Sequence, residues 1–196
     1  MSSDIAGMLI GMLGSGELDK LGSQLGTDST STQKAVGAAV PLLLSALGKN
    51  AASPQGAEAL LGALSRDHDG SVLNNVGAAL GSGALGKDGA AILGHVLGNK
   101  QGAVAAGIGQ ASGLSADTSG QLLAMLAPLV MGGLGKTQRQ SGLDAAGLAS
   151  MLGGQREQAN AGLGGLAGLL DRDGDGDATN DIMKIGGKLL GGLFGR

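Results

Sequence analysis

Asp171, Asp173 and Asp175 alternate along the chain and are followed by Gly176, Asp177, Thr179 and Asp181. Alternating carboxylates in a tight turn can all face one cation. A glycine at the sixth place is what the EF-hand loop needs for its sharp backbone angle. Asp177 would then offer its backbone carbonyl at the seventh place, and Thr179 a side chain or bound water at the ninth. At the twelfth place, where a bidentate Glu is expected, stands Ile182. Asp181 must substitute one residue early, which implies a shortened loop and an affinity roughly in the micromolar to millimolar range. Five aspartates within residues 171–181, countered only by Arg172, repel one another unless a cation is present. Hard oxygen ligands without His or Cys select calcium over zinc or copper. The expectation is a structural Ca2+ site at 171–182, with Asp171, Asp173, Asp175, Asp177, Thr179 and Asp181 as ligands, that pins the C-terminal helix to the body. A solvated acidic turn capping that helix is the alternative.

The other constellations carry less chemistry. Met131-Gly132-Gly133-Leu134-Gly135-Lys136-Thr137 resembles the end of a phosphate-binding loop, but Val130 stands where the pattern needs its first glycine. A helix C-terminal glycine followed by a cation suited to the helix dipole accounts for this segment and for Leu47-Gly48-Lys49. Gly162-Leu163-Gly164-Gly165-Leu166-Ala167 fits a dinucleotide fingerprint only formally, because no strand precedes it. His68 and His95 are the only histidines and there is no Cys, too few for a zinc site. His95, among Leu93, Val96 and Leu97, reads as a packed or interface residue, and His68 is flanked by Asp67 and Asp69. The loop Ser65–Asn75 is expected to hold no ion and to be closed by Ser and Asn hydrogen bonds. Glu17, Glu58 and Glu157 are the only glutamates and form no pair, so no catalytic residues and no enzymatic activity are expected.

These residues must be positioned by helices. The chain of 196 residues is 42% hydrophobic but only 1% aromatic, with 41 glycines, so its core must be aliphatic and thin. The β-branched and aromatic residues that sheets favour are scarce, and the apolar period is 3.6. Short helices are expected around Met8, Leu9 and Met12 and around Leu18, Leu21 and Leu25. A long helix starts in Thr27–Thr32 and runs through Val40 to a stop at Gly48. Pro54 opens the next, with Leu60, Leu61 and Leu64 on one face. Others run through Val72–Leu80, from Asp88 to Gly98, and over about 101–112, 118–135, 143–153, 158–170 and 180–194. Close helix crossings are expected at Gly7 to Gly11 and at Gly164 to Gly168.

Net charge is −3 with 13 Lys+Arg against 16 Asp+Glu, without the basic clusters that nucleic acid requires. The most apolar stretch, Leu122 to Gly135, falls short of the roughly 20 residues of a membrane span. The N-terminus lacks a basic region before its apolar residues, so the expected location is cytoplasmic. The stretch Ile182 to Arg196 is cationic and amphipathic. It reads first as the last core helix with its Lys residues solvated, and a membrane-surface activity through it is the alternative function.

The chain also resembles itself. At a shift of 87, Gly22 falls on Gly109, Gly26 on Gly113, Pro41-Leu42 on Pro128-Leu129, and Leu47-Gly48-Lys49 on Leu134-Gly135-Lys136. After a one-residue slip Ala63-Leu64 falls on Met151-Leu152, and after an insertion Arg66-Asp67-His68-Asp69-Gly70 lies over Arg172-Asp173-Gly174-Asp175-Gly176. The expected fold is therefore all-α: a compact multi-helix bundle of two tandem, pseudo-symmetric repeats with Gly/Ala-rich crossings. Its parts would be an N-terminal helix (1–16), repeat one (17–100), and repeat two with the Asp-rich loop and C-terminal helix (101–196).

Asp67-His68-Asp69-Gly70-Ser71-Val72-Leu73, Ile92-Leu93-Gly94-His95-Val96-Leu97-Gly98, Ser112-Gly113-Leu114 and Leu126-Ala127-Pro128-Leu129-Val130-Met131-Gly132 resemble the YidB-like bacterial family of unknown function numbered 937, over residues 30–190. Asn74-Asn75 departs from the acidic pair expected there. The resemblance implies an all-helical bacterial domain and no particular reaction. Together these readings point to a non-enzymatic structural or interaction protein with an EF-hand-like loop. Gly/Ala-lined helices that leave aliphatic faces exposed imply a homo-oligomer or another protein as partner.

Overall fold

The computed structural model describes residues 5–162, leaving out the side chains of Ala84 and of 156–162. Among these residues every regular element is helical. In chain order they are α1 (Ile5–Met12), α2 (Ser15–Leu25), α3 (Ser29–Asn50), α4 (Pro54–Arg66), α5 (Val76–Gly81), α6 (Ala84–Val96), α7 (Gln101–Ser112), α8 (Ala116–Ser141) and α9 (Ala145–Gly162). Short 3₁₀ turns at Ser71–Asn75 and Gly98–Lys100 lead into α5 and α7. One compact unit takes in the elements up to Arg156.

Local signals set the ends of the two long helices. Asp28 caps α3 by accepting from the Ser31 amide at 2.9 Å, and Ser115 caps α8 by accepting from the Thr118 amide at 3.0 Å. The preceding helices close on glycines in the left-handed region, Gly26 (φ 66°) after α2 and Gly113 (φ 83°) after α7. Just inside each long helix lies a fully buried hydroxyl residue, Thr32 or Ser119. Each donates back to the carbonyl of its cap, Thr32 to Asp28 at 2.8 Å and Ser119 to Ser115 at 2.9 Å. Neither is left unsatisfied in the core. Two glycines make room for them. A Cβ at Gly22 would stand 2.9 Å from Thr32 Oγ1, and one at Gly109 would stand 2.6 Å from the Leu114 carbonyl.

The centre of the fold is α8. From Leu126 to Gly135 every residue is buried, and α6, α7, α3, α1, α4 and the Ser71–Asn75 turn all pack on it. With a mean hydropathy of 1.2 it is long and apolar enough to cross a membrane, but 72% of that window is buried against the chain's own helices. That burial is what a core helix requires. α6 makes the most extensive contact. Pro128 has no N–H to give to the carbonyl of Ala124 one turn earlier. Gly89 of α6 lies on that same oxygen, so close that a Cβ there would overlap it. A glycine Cα–H can point at the freed carbonyl where no larger residue could approach.

Several expected boundaries differ. α8 runs on to Ser141 and ends on Gly142 (φ 61°), whose amide donates to Arg139 O while that of Leu143 donates to Gln138 O. Gln138-Arg139-Gln140, beyond the end expected at about 135, is therefore helix. Residues 145–162 form one helix where two were expected, because only weak Gly signals separate them. The close crossings also lie elsewhere. A Cβ at Gly11 would have nothing within 4 Å, whereas Gly89, Gly132, Gly133 and Gly135 each meet a neighbouring element. The segment 164–168 and the helix expected at 180–194 lie outside the described residues.

Two glycines of α6 give opposite expectations. Gly89→Ala drives a methyl into the Ala124 carbonyl and should cost about 2–3 kcal/mol. Gly94→Ala meets open space and should stabilise by roughly 0.4–1 kcal/mol through the unfolded chain. Denaturant unfolding of both variants checks the pair, and equal effects would contradict this account of the crossing.

Candidate functional site: the Asp67–Asn75 turn on the long helix

The turn after α4 holds the densest set of ionisable side chains in the described structure. Its backbone is seated on α8 through glycines. The His68 carbonyl lies against Gly135, leaving no space for a Cβ there. Gly70, buried and at φ 87°, would bring a Cβ to 2.9 Å from Lys136 Cβ and 3.1 Å from Gly132 O. Val72 covers Gly132. Glycine is thus required on both sides of this contact, for conformation at 70 and for space at 132 and 135.

One carboxylate of the turn is engaged in closing it. Asp69 Oδ1 accepts from the Ser71 amide at 2.9 Å, and its other oxygen lies 3.9 Å from Arg139 Nη1. The Ser71 hydroxyl, then the Ser71 amide, and to a lesser degree Arg139 hold the Asp69 carboxyl below the usual carboxylate range. The ion pair itself is half exposed on both sides and adds little. Asn75 caps α5 by accepting from the Ala78 amide at 3.0 Å. The expected Ser and Asn hydrogen bonds are present, and the turn is seated besides on the α8 glycines, which nothing in the local sequence signals. Asp67 is exposed at the end of α4. Among the described residues no three His, Cys, Asp or Glu side chains stand close enough to hold a metal ion. The expected calcium ligands, Asp171, Asp173, Asp175, Asp177, Thr179 and Asp181, lie outside the described residues.

The remaining candidates resolve by position. Gly132 to Thr137 is mid-helix, and the Thr137 hydroxyl donates to Gly133 O at 2.9 Å. Its amides serve the helix and cannot cradle a phosphate. Neither Gly48 nor Gly135 is the expected C-terminal stop, since α3 runs on to Asn50 and α8 to Ser141; Gly135 is glycine because His68 O sits on it. His95 is exposed rather than packed, and the nearby carbonyl of Val96 accepts from Asn50 Nδ2 at 3.2 Å. On α1 the apolar spacing groups Met8 with Leu9 and Met12. The structure buries Ile5 and Leu9 and leaves Met8 and Met12 exposed at 37% and 36%, the large apolar side chains most open to solvent among the described residues. The helix is apolar all round, so its pattern does not say which side faces in.

The model of the family described as "Bacterial protein of unknown function (DUF937)" matches residues 7–137 of the 196. The chain belongs to this family. No curated protein and no solved structure matches it. The DUF937 match begins in α1 and ends in α8, earlier at both ends than the resemblance over 30–190. It takes in the Asp67–Asn75 turn and the Gly-notched part of α8, and it stops short of the aspartates at 171–181.

His68 makes this turn sensitive to acid. Its side chain is half-buried, and burial pushes its pKa below the ordinary 6.5, opposed by the charges of Asp67 and Asp88. The folded state therefore binds fewer protons than the unfolded chain as pH falls through this range, and stability falls with it. Asp69, depressed in the folded state, adds stability that is lost only at lower pH, below its ordinary 3.8. The melting midpoint should drop between about pH 7.5 and 5.5, and His68→Gln should remove most of that drop. Parallel pH slopes for the two proteins, followed by circular dichroism, would contradict it.

Proposed function

We propose that this DUF937 chain is a non-enzymatic, cytoplasmic interaction protein that pairs with a second copy of itself through the outer face of α1. The observation that carries this reading is the exposure of Met8 and Met12 on a helix with no charged residue. Gly7 and Gly11 precede them one turn apart, so the exposed face alternates small and large groups. Across a two-fold axis such a face fits itself, each Met lying over a glycine of the other copy. Met is suited to this contact because its side chain adapts to an irregular surface. Two turns of helix bury little area, so the pairing is a weak one. Sedimentation at tens of micromolar should give twice the chain mass. Met8→Glu should return it to the chain mass without unfolding, since that side chain is exposed and is not in the core. A single-chain mass for the unaltered protein overturns the reading.

The C-terminal aspartates and the internal duplication extend this proposal to the whole chain. The spacing Asp171-x-Asp173-x-Asp175-Gly176 supports a structural calcium loop, completed by Asp177, Thr179 and Asp181, that holds the C-terminal segment. Calcium should raise the melting midpoint of chelator-stripped protein, and Asp173→Ala should abolish the rise. If millimolar calcium shifts neither melting nor calorimetric heat, the segment is an acidic turn. A duplicated helical unit is supported by register. Every residue that α3 buries, from Thr32 to Gly48, has a buried counterpart 87 positions on in α8. Gly48 also faces Leu152 of α9 while Gly135 faces Leu64 of α4, a reciprocal contact that two copies about a pseudo-two-fold axis would make.

A further inference from the structure

We propose that Met12 is an oxidation site whose sulfoxide releases α1 from the body of the protein. The inference rests on how α1 packs on its own chain and does not depend on the self-association proposed above. Met12 faces two environments at once. It is 36% exposed, and it also lines a narrow cavity beneath α1 together with Leu13, Val40, Leu73, Leu126 and Val130, all of them apolar. Met8 is equally exposed but does not line that cavity, and Met131 is 4% exposed inside α8. The chain has no cysteine, so methionine sulfur is its only thiol or thioether chemistry.

The reaction needs a peroxide as oxidant. A lone pair of the Met12 sulfur attacks one oxygen of hydrogen peroxide; the S–O bond forms as the O–O bond breaks. The departing hydroxide takes the proton left on the transferred oxygen and becomes water. Sulfur loses two electrons and the peroxide gains them. The product is a polar sulfoxide on a flexible stem, in place of an apolar thioether. Its oxygen finds no donor among the aliphatic lining residues and must stay in water, which withdraws the side chain from the cavity. α1 has only two turns, and helices that short do not persist without tertiary packing. Its fully buried side chains are Ile5 and Leu9, the latter seated on Gly133, with Leu13 just beyond and only Ala6 and Ile10 partly buried beside them. Losing the Met12 contact therefore loosens the whole element.

The full-length chain is treated with millimolar hydrogen peroxide at a concentration low enough to give the single-chain mass, then mapped by peptide mass spectrometry and melted. Met8 and Met12 should convert well ahead of Met131. The melting midpoint should fall by about 2–6 °C, with faster hydrogen exchange over residues 5–12. Met12→Leu, close to volume-conserving, should keep its midpoint on the same treatment, while Met8→Leu should lose stability as the unaltered protein does. Methionine sulfoxide reductase should restore the original midpoint. Met12 sulfoxide forming without a change in melting or exchange overturns the proposal. So does a Met12→Leu variant that loses as much, or a Met12 that reacts no faster than Met131. A failed dimer in sedimentation leaves all three readouts in force, so the two ideas fail separately.

Discussion

Backbone meeting backbone at the middle of α8 is the contact from which the other packing distances follow. Pro128 leaves the Ala124 carbonyl without its helical donor, and Gly89 brings α6 onto that oxygen with no side chain between. Once α6 is this close, α8 is enclosed, and the elements around it must also approach without bulk. They do so at Gly132 under Val72, Gly133 under Leu9 and Gly135 under the His68 carbonyl. One helix turn thus accepts the Asp67–Asn75 turn at Gly132 and Gly135 and α1 at Gly133. A side chain at any of these positions would push its neighbour outward by the length of a bond or more. Interiors this dense do not absorb such a change by small adjustments.

That constraint explains a composition that looks poor for a folded protein. A core with 1% aromatic residues cannot fill wide gaps between helices, so the gaps must be narrow, and glycine and alanine keep them so. The side chains that then fill the remaining space are Leu, Val and Ile, as at Leu21, Leu43, Leu64, Ile108, Leu122 and Leu148, all buried. Glycine within helices costs up to roughly 1 kcal/mol each in unfolded-state entropy, an expense the notched positions offset through close contact and the open ones, such as Gly94, do not. The buried hydroxyls of Thr32, Ser112 and Ser119 find their partners locally. Thr32 and Ser119 return their hydroxyl protons to carbonyls one turn back, which leaves the aliphatic packing undisturbed.

Much of this architecture is legible in the sequence because helix punctuation is local. Gly26 and Gly113 as left-handed stops, the starts in Thr27–Thr32 and at Pro54, and the all-helical class follow from φ preferences and capping chemistry alone. What cannot be read is what depends on a distant neighbour. Gly135-Lys136 looks like a helix end until the His68 carbonyl is placed on it. Gly7 and Gly11 have the spacing of a crossing but meet no such neighbour at Gly11, while Gly89 lacks a paired glycine and carries the tightest crossing. The hydrogen bonds of the Asp67–Asn75 turn can be anticipated from Ser and Asn. Its seating on Gly132 and Gly135 cannot, because those glycines lie about 60 residues further along the chain. The aspartates at 171–181 are in the opposite situation. Their spacing is the clearest chemical pattern in the sequence, and it stands beyond both the described residues and the family match.

The distribution of these notches also says where the molecule can change. α6 and the Asp67–Asn75 turn are fixed on α8 by backbone contacts, at Gly89 and at Gly70 and Gly135, that leave no room for a side chain. α1 is fixed differently: one leucine on Gly133, and otherwise aliphatic side chains over a cavity they do not completely fill. Elements with few buried contacts and short length open at the lowest free energy. The large apolar side chains most exposed among the described residues, Met8 and Met12, sit on that same element. Surface that can gain from a partner and an element that can yield to one therefore coincide at the N-terminal helix. The acid-sensitive turn around His68 lies on the other kind of contact, where the backbone is held by glycine notches and only the side-chain charges can vary. In this fold, reactivity is left to side chains at the rim because the centre is built from backbone.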